Sequence, residues 1–209
     1  MLIRRLKTTG DTLIEVLFAV SVFSLVAVSG LAVMNQGSSS SERALEITLV
    51  REQMDGQAKT LRFLNSSYVA AFRAGTAYPS STSAYQWAQM SRYISDNPIL
   101  NPTTLGGSSC PTLYLKGSFI LNTQQGTFID PSKNGGVLIA AKTFSQVNYT
   151  STVVSSSEGI WIEAIRSSSS AANQSNIGYI DFHILSCWDS PGQAVPGTLG
   201  TIVRLYEPR

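Results

Sequence analysis

Residues 10–34 read GDTLIEVLFAVSVFSLVAVSGLAVM, and the stretch from residue 16 to residue 34 runs nineteen positions without a formal charge, Pro, Asn or Gln. A helix of that length covers about 30 Å, the thickness of a bilayer's hydrocarbon core. Ser21, Ser24, Ser29 and Gly30 dilute the hydrophobicity, but small residues also let helices approach closely in an apolar medium. Arg4, Arg5 and Lys7 precede the span, which by the positive-inside rule keeps the N-terminus cytoplasmic and places residues beyond about 35 outside. A secretory signal peptide would have a shorter apolar run, about 7 to 15 residues, followed by a small-residue cleavage site. Here the run is longer and continues through the serines at 38–41 into a second helical pattern, so an anchor retained in the mature chain fits better.

Glu15 is the informative residue, because a carboxylate at the mouth of an apolar span costs free energy unless it finds a partner or the interface. A short basic leader ends in Gly10, Glu15 falls fifth after it, and the apolar helix follows directly. In letters and in position, Gly10-Asp11-Thr12-Leu13-Ile14-Glu15-Val16 resembles the processing and assembly motif of type IV pilins and type II secretion pseudopilins.

The resemblance implies that a prepilin peptidase on the cytoplasmic side cuts between Gly10 and Asp11 and methylates the new amine of Asp11. It also implies that Glu15 pairs with a neighbouring subunit's N-terminal ammonium on entry into a filament. The chain departs from the family in one respect: Asp11 stands where an apolar residue, commonly Phe, opens the mature chain, and it sets a second carboxylate beside the same amine. The implied partners are other pilin subunits, the peptidase, the membrane before assembly, and a membrane-embedded assembly platform with its ATPase. The implied location is the cytoplasmic membrane first and the extracellular surface afterwards. A subunit of a pilus, of the minor kind given Asp11 and the large head, leads a secretion pseudopilin and a membrane-anchored adhesion module that never polymerises.

Working outward, Gly30 and the Asn35-Gln36-Gly37 step before four serines predict a bend or weak point in the helix. From about 42 to 74 an amphipathic pattern follows, with Ile47, Val50, Met54, Ala58, Leu61 and Leu64 on one stripe and Arg51, Asp55 and Lys59 opposite. The expected organisation is a leader at 1–10, a membrane or filament-core helix at 11–35, its amphipathic continuation at 36–74 and a head at 75–209. Within the head, 75–85 reads as loop, 86–94 as a short helix and 97–111 as irregular. Strands are predicted at 113–121, 136–141, 144–154, 159–166, 178–186 and 201–205. No helix between them is long enough for a crossover, so the fold class is α+β, a long helix packed on a C-terminal antiparallel sheet. That order agrees with the pilin fold the motif implies.

Charged residues make up only 13% of the chain, a level that suits an exported, hydroxyl-rich domain. Of 15 basic residues three lie before Gly10, leaving 12 against 13 acidic in the processed chain, so overall basicity offers no argument for nucleic acid. Cys110 and Cys187 lack the close-spaced partners of a zinc or redox motif, and in an exported chain they read as a disulfide that adds about 4 to 5 kcal/mol in the chain-entropy account. Trp188, beside Cys187, is expected to pack on that disulfide.

Chemistry is scarce. His183, the only histidine, shares a strand face with Asp181, and two side chains do not close a metal site, so no metal, cofactor or catalytic residue is expected. Tyr114 with Lys116, and Tyr206 with Arg204, combine an aromatic ring and a cation as single-stranded DNA binding needs, and suit an ordinary strand equally. Asn65, Asn148 and Asn173 begin N-x-S/T triplets of the kind chance supplies in such a chain. The serine runs at 38–41, 155–157 and 167–170 read as linkers and loop tips.

Overall fold

The computed structural model describes residues 11–111, 116–133, 135–167, 178–190 and 193–208. Helix α1 runs without interruption over Asp11–Arg73, so the break expected near 30–41 is not present. One glycine costs a helix about 1 kcal/mol, and propagation from established turns on both sides absorbs that cost. Gly30 and Gly37 are both absent from the positive-φ glycines. The run at 38–41 is therefore helix rather than linker. The chain divides into two compact units inside α1, Met1–Leu45 and Glu46–Arg209.

In the second unit the predicted stripe of α1 is the buried one: Val50, Met54, Ala58, Leu61 and Leu64 are at most 4% exposed. Helix α2 spans Ser83–Asp96, starting three residues before the sequence pattern suggested. Thr82 caps it, its hydroxyl accepting from the Tyr85 N–H at 3.3 Å. Trp87, Met90 and Ile94 of α2 join the α1 stripe in one apolar core.

That core covers one face of an antiparallel sheet of β6 (Ile160–Arg166), β7 (Tyr179–Trp188) and β8 (Gly197–Tyr206), in that order. Side chains alternate along a strand. Ile180, Phe182, Ile184 and Trp188 of β7 belong to the core with the helices, whereas Leu185 and Cys187 belong to a second core with Trp161, Val147 and Val154. Trp188 therefore does not pack on the disulfide, since consecutive strand residues face opposite ways, and Trp161 takes the place expected of it.

Among the described residues the head holds three sheets rather than one. Strands β1 (Ile120–Asn122) and β2 (Thr127–Ile129) form a hairpin. A second sheet has the order β3 (Leu138–Ile139), β5 (Val153–Glu158), β4 (Gln146–Thr150). Its β3–β5 pair is parallel, which corrects the all-antiparallel expectation; a two-residue strand reached through turns needs no helical crossover. The strand expected at 144–154 is really the hairpin β4–β5, turning at Ser151 with φ 57°. Ser155, Ser156 and Ser157 are strand rather than loop tip, and Ser157 is fully buried with its hydroxyl donating to the Ile160 carbonyl at 2.7 Å. Only 120–121 of the strand expected at 113–121 is strand, and 112–115 lies outside the described residues.

Two joints hold the layers together. Gly159, at φ +64°, separates β5 from β6, and a Cβ there would collide with the Cys187 carbonyl and the Ser145 hydroxyl. Phe119 and Ile162 exchange backbone hydrogen bonds of 3.0 and 2.8 Å, docking the β1–β2 hairpin on β6. Both helices reach the hairpin's remaining backbone groups with glutamines. Gln57, fully buried, accepts from the Leu121 N–H at 3.0 Å and donates to its carbonyl at 2.9 Å. Gln86 accepts from the Phe128 N–H at 3.1 Å. Gln57→Ala strands both polar groups of Leu121 in the core and is expected to destabilise the head by about 2 to 6 kcal/mol in urea denaturation, at about 1 to 3 kcal/mol for each unpaired group.

Candidate functional site

From Leu13 to Met34 the helix of the N-terminal unit is an apolar cylinder. Its large apolar side chains from Leu13 to Met34 are all between 47% and 73% exposed, and at helical spacing they point in every direction around the axis. Ser21, Ser24 and Ser29 donate their hydroxyls to the carbonyl four residues back, at 2.8, 2.8 and 2.7 Å, so the cylinder presents no unpaired hydroxyl at those positions. By length and composition α1 is able to cross a membrane. Asp11 is its first residue, Glu15 follows one turn later and is exposed, and Gly10 lies outside the described residues. No ion pair involves Glu15 among the described residues.

In the head, Cys110 and Cys187 are joined, with 5.6 Å between their Cα atoms. The bond ties the irregular segment 97–111 to the face of the central sheet that turns away from the helices. A buried carboxylate ties the same segment at a second point. Glu163 is 1% exposed, and it accepts from the Thr103 N–H at 2.7 Å, the Thr103 hydroxyl at 2.6 Å and the Trp161 indole N–H at 2.8 Å. Three donors offset the cost of burying a carboxylate that has no cation bonded to it among the described residues. A residue flanked by Ile162 and Ala164 gives no sign in the sequence that a loop sixty positions earlier will cover it. Glu46 does similar work at the start of this unit's helix, accepting from the Trp188 indole N–H at 3.1 Å and the Ser190 hydroxyl at 2.6 Å.

The pairs suggested for chemistry are drawn into structural contacts. Asp181 is engaged by Arg204, whose Nε and Nη2 both donate at 2.7 Å, and not by His183. The Arg204 guanidinium also lies 4.0 Å from the centre of the Tyr179 ring, and Tyr179 meets Tyr206 edge-on at 6.3 Å. The guanidinium in the Tyr206–Arg204 pair is thus already matched by a carboxylate, and Tyr114 of the other pair lies outside the described residues. Asn65 donates to the Tyr206 carbonyl and Asn148 to Ser156 and Glu158, so both side-chain amides are in use; Asn173 lies outside the described residues. Among the described residues no three His, Cys, Asp or Glu side chains converge as a metal site.

Comparison of the chain with protein-family models, with curated proteins and with solved structures returned no match.

The hydrogen bonds from Arg204 hold the Asp181 carboxyl below its ordinary range, and the same bonds raise the guanidinium's pKa. A carboxyl with a depressed folded pKa adds stability above its unfolded value, near 3.9, and that stability is lost as pH falls through the folded value. Arg204→Gln is therefore expected to lower Tm near neutral pH. The difference from the parent chain should shrink below about pH 4 and close once Asp181 is protonated, as thermal melts across the acid range would show.

Proposed function

We propose that the chain is a structural subunit, of the minor kind, in a type IV pilus-like extracellular filament, assembled through its N-terminal helix after cleavage at Gly10. The observation that carries this reading is the apolar cylinder from Leu13 to Met34, exposed on all sides, directly behind a Gly10…Glu15 motif. An all-round apolar helix needs apolar surroundings, lipid before assembly and other copies of the helix after it. Moving from one to the other changes the hydrophobic free energy little, because lipid tails are as apolar as the side chains. Helix packing and one charged contact must then set the register. Glu15 supplies that contact by pairing with the free ammonium of a neighbouring subunit at Asp11, since a lone carboxylate in a low-dielectric bundle is penalised by several kcal/mol.

The reading assigns no catalytic residue, no cofactor and no metal to the chain, and its pilin-like fold of helical spine and β-rich head is part of the proposal. The work of extrusion falls to an assembly ATPase outside the chain, and the peptidase cuts between Gly10 and Asp11. The head is displayed outside the cell, where its disulfide is suited to an oxidising environment.

Glu15→Ala tests the assignment. The variant is expected to be cut and to stay in the membrane fraction, and to fall at least tenfold in sheared surface filaments relative to the parent. A variant that enters filaments normally would contradict the role given to Glu15 and favour a simple membrane anchor.

A further inference from the structure

Among the described residues, strand β8 is the outer strand of the central sheet, ten residues long with β7 as its one neighbour in the sheet. The Glu207 N–H donates to the Gly178 carbonyl at 2.9 Å, which makes that pair hydrogen-bonded. Because bonded and non-bonded pairs alternate in an antiparallel ladder, Thr198, Gly200, Ile202, Arg204 and Tyr206 turn their backbone groups away from β7, toward the open edge. Among the described residues one of these groups has a partner: the Tyr206 carbonyl accepts from Asn65 on α1, at 3.3 Å. The devices that usually blunt a long edge are largely missing. The strand has no proline and keeps one register along β7, its single charge is matched by Asp181, and Ile202 is 62% exposed.

The edge has a second wall. Clefts of about 270 and 420 Å³ open between α1 and β8. Arg51 and Asp55 face Leu199–Thr201 in the first, and Asn65, Val69 and Arg73 face the end of the strand in the second. Helix and strand thus run alongside each other in the same direction, and Arg62 falls between the two clefts on the same helical stripe. On the helix wall three arginines stand against one aspartate, and none of the three is in an ion pair among the described residues; Glu207, which lines the second cleft from the strand side, is paired with Arg166 at 3.3 Å.

We propose that the groove between α1 and the β8 edge is a docking site for an extended, acidic segment of a partner polypeptide, which adds to the sheet as a strand beside β8. Main-chain bonds to Gly200, Ile202 and Arg204 supply the pairing, with the Asn65 bond to Tyr206 exchanged for one to the incoming strand. Carboxylates on its helix-side face meet Arg51, Arg62 and Arg73, and its other face covers Ile202 and Tyr206. Charge selects this occupant over a second copy of the chain. Two β8 edges joined about a twofold axis would set both α1 helices on the same side of the joined sheet and bring two arginine rows together.

The test uses the full chain in detergent micelles and a capped decapeptide of alternating Glu and Val. Hydrogen exchange at the Gly200, Ile202 and Arg204 amides is expected to slow about tenfold or more on saturation, while Thr201 and Val203, which already face β7, stay unchanged. Binding should weaken about tenfold between low and high salt, as screened ion pairs do. A Lys–Val decapeptide, and a Glu–Val decapeptide N-methylated at alternate residues, should give no slowing. Absence of slowing with the acidic peptide, or equal slowing with the basic or N-methylated one, would overturn the proposal. Slowing that rises with protein concentration in the absence of peptide would overturn it too, by showing a second copy on the edge.

Discussion

The head is built on a seam in which Val50, Met54, Ala58, Leu61 and Leu64 of α1 share one apolar core with Ile162, Phe182 and Ile184 of the central sheet. Gln57 sits in the middle of that stripe, on the turn between Met54 and Leu61, and is as buried as its apolar neighbours. Its amide takes the place of a strand beside Leu121, which lets a hairpin of three-residue strands lie against a helix without leaving backbone groups unpaired. The close approach extends to Gly56, where a Cβ would rest 3.7 Å from the Thr123 methyl. Helix position, hairpin position and the docking of Phe119 on Ile162 therefore depend on one another.

The opposite face of the same sheet is closed by different means. Among the described residues no helix covers it; Leu138, Val147 and Val154 of the β3–β5–β4 sheet pack on it, and beside them an irregular segment is held by the Cys110–Cys187 bond and by Thr103 on Glu163. An irregular segment has its own backbone to satisfy and few apolar side chains to contribute, so it needs discrete attachments where a helix needs only a stripe. Gly159 lets the chain pass from the outer layer, β5, into the central one, β6, at the point where the Cys187 carbonyl and Ser145 leave no room for a side chain. The consequence for β7 is a strand buried on both faces at its C-terminal end and half exposed at its start, where Asp181 and Arg204 meet.

Regular periodicity was readable in the sequence, and features depending on one long-range partner were not. The stripe of α1, the strands β6 and β7 and the pairing of the two cysteines follow from spacing, alternation and composition. The β4–β5 hairpin was hidden because its turn uses Ser151 in the left-handed region, where a Gly or Asn would have announced it. The serines of β5 read as loop because their hydroxyls are satisfied only after folding. Strand β8 looked short because Gly197 and Gly200 interrupt the pattern, yet Gly197 is there because the Trp188 ring occupies the space of a Cβ. Gln57 and Glu163 were invisible as structural residues, since nothing local marks a polar side chain that will be buried against a distant backbone. At the candidate site, Gly10, Asp11 and Glu15 were found by motif, and the exposed apolar cylinder behind them is the structural feature that gives the motif a physical context.

The central claim concerns what happens to the first ten residues and where the helix behind them ends up. It is met most directly by intact-mass analysis of the chain recovered from sheared surface filaments. The account predicts a chain beginning at Asp11, without the ten-residue leader, and retaining the whole of the apolar helix. A chain recovered only from membranes with its leader intact, or cut beyond residue 34 so that the helix is lost, would contradict it.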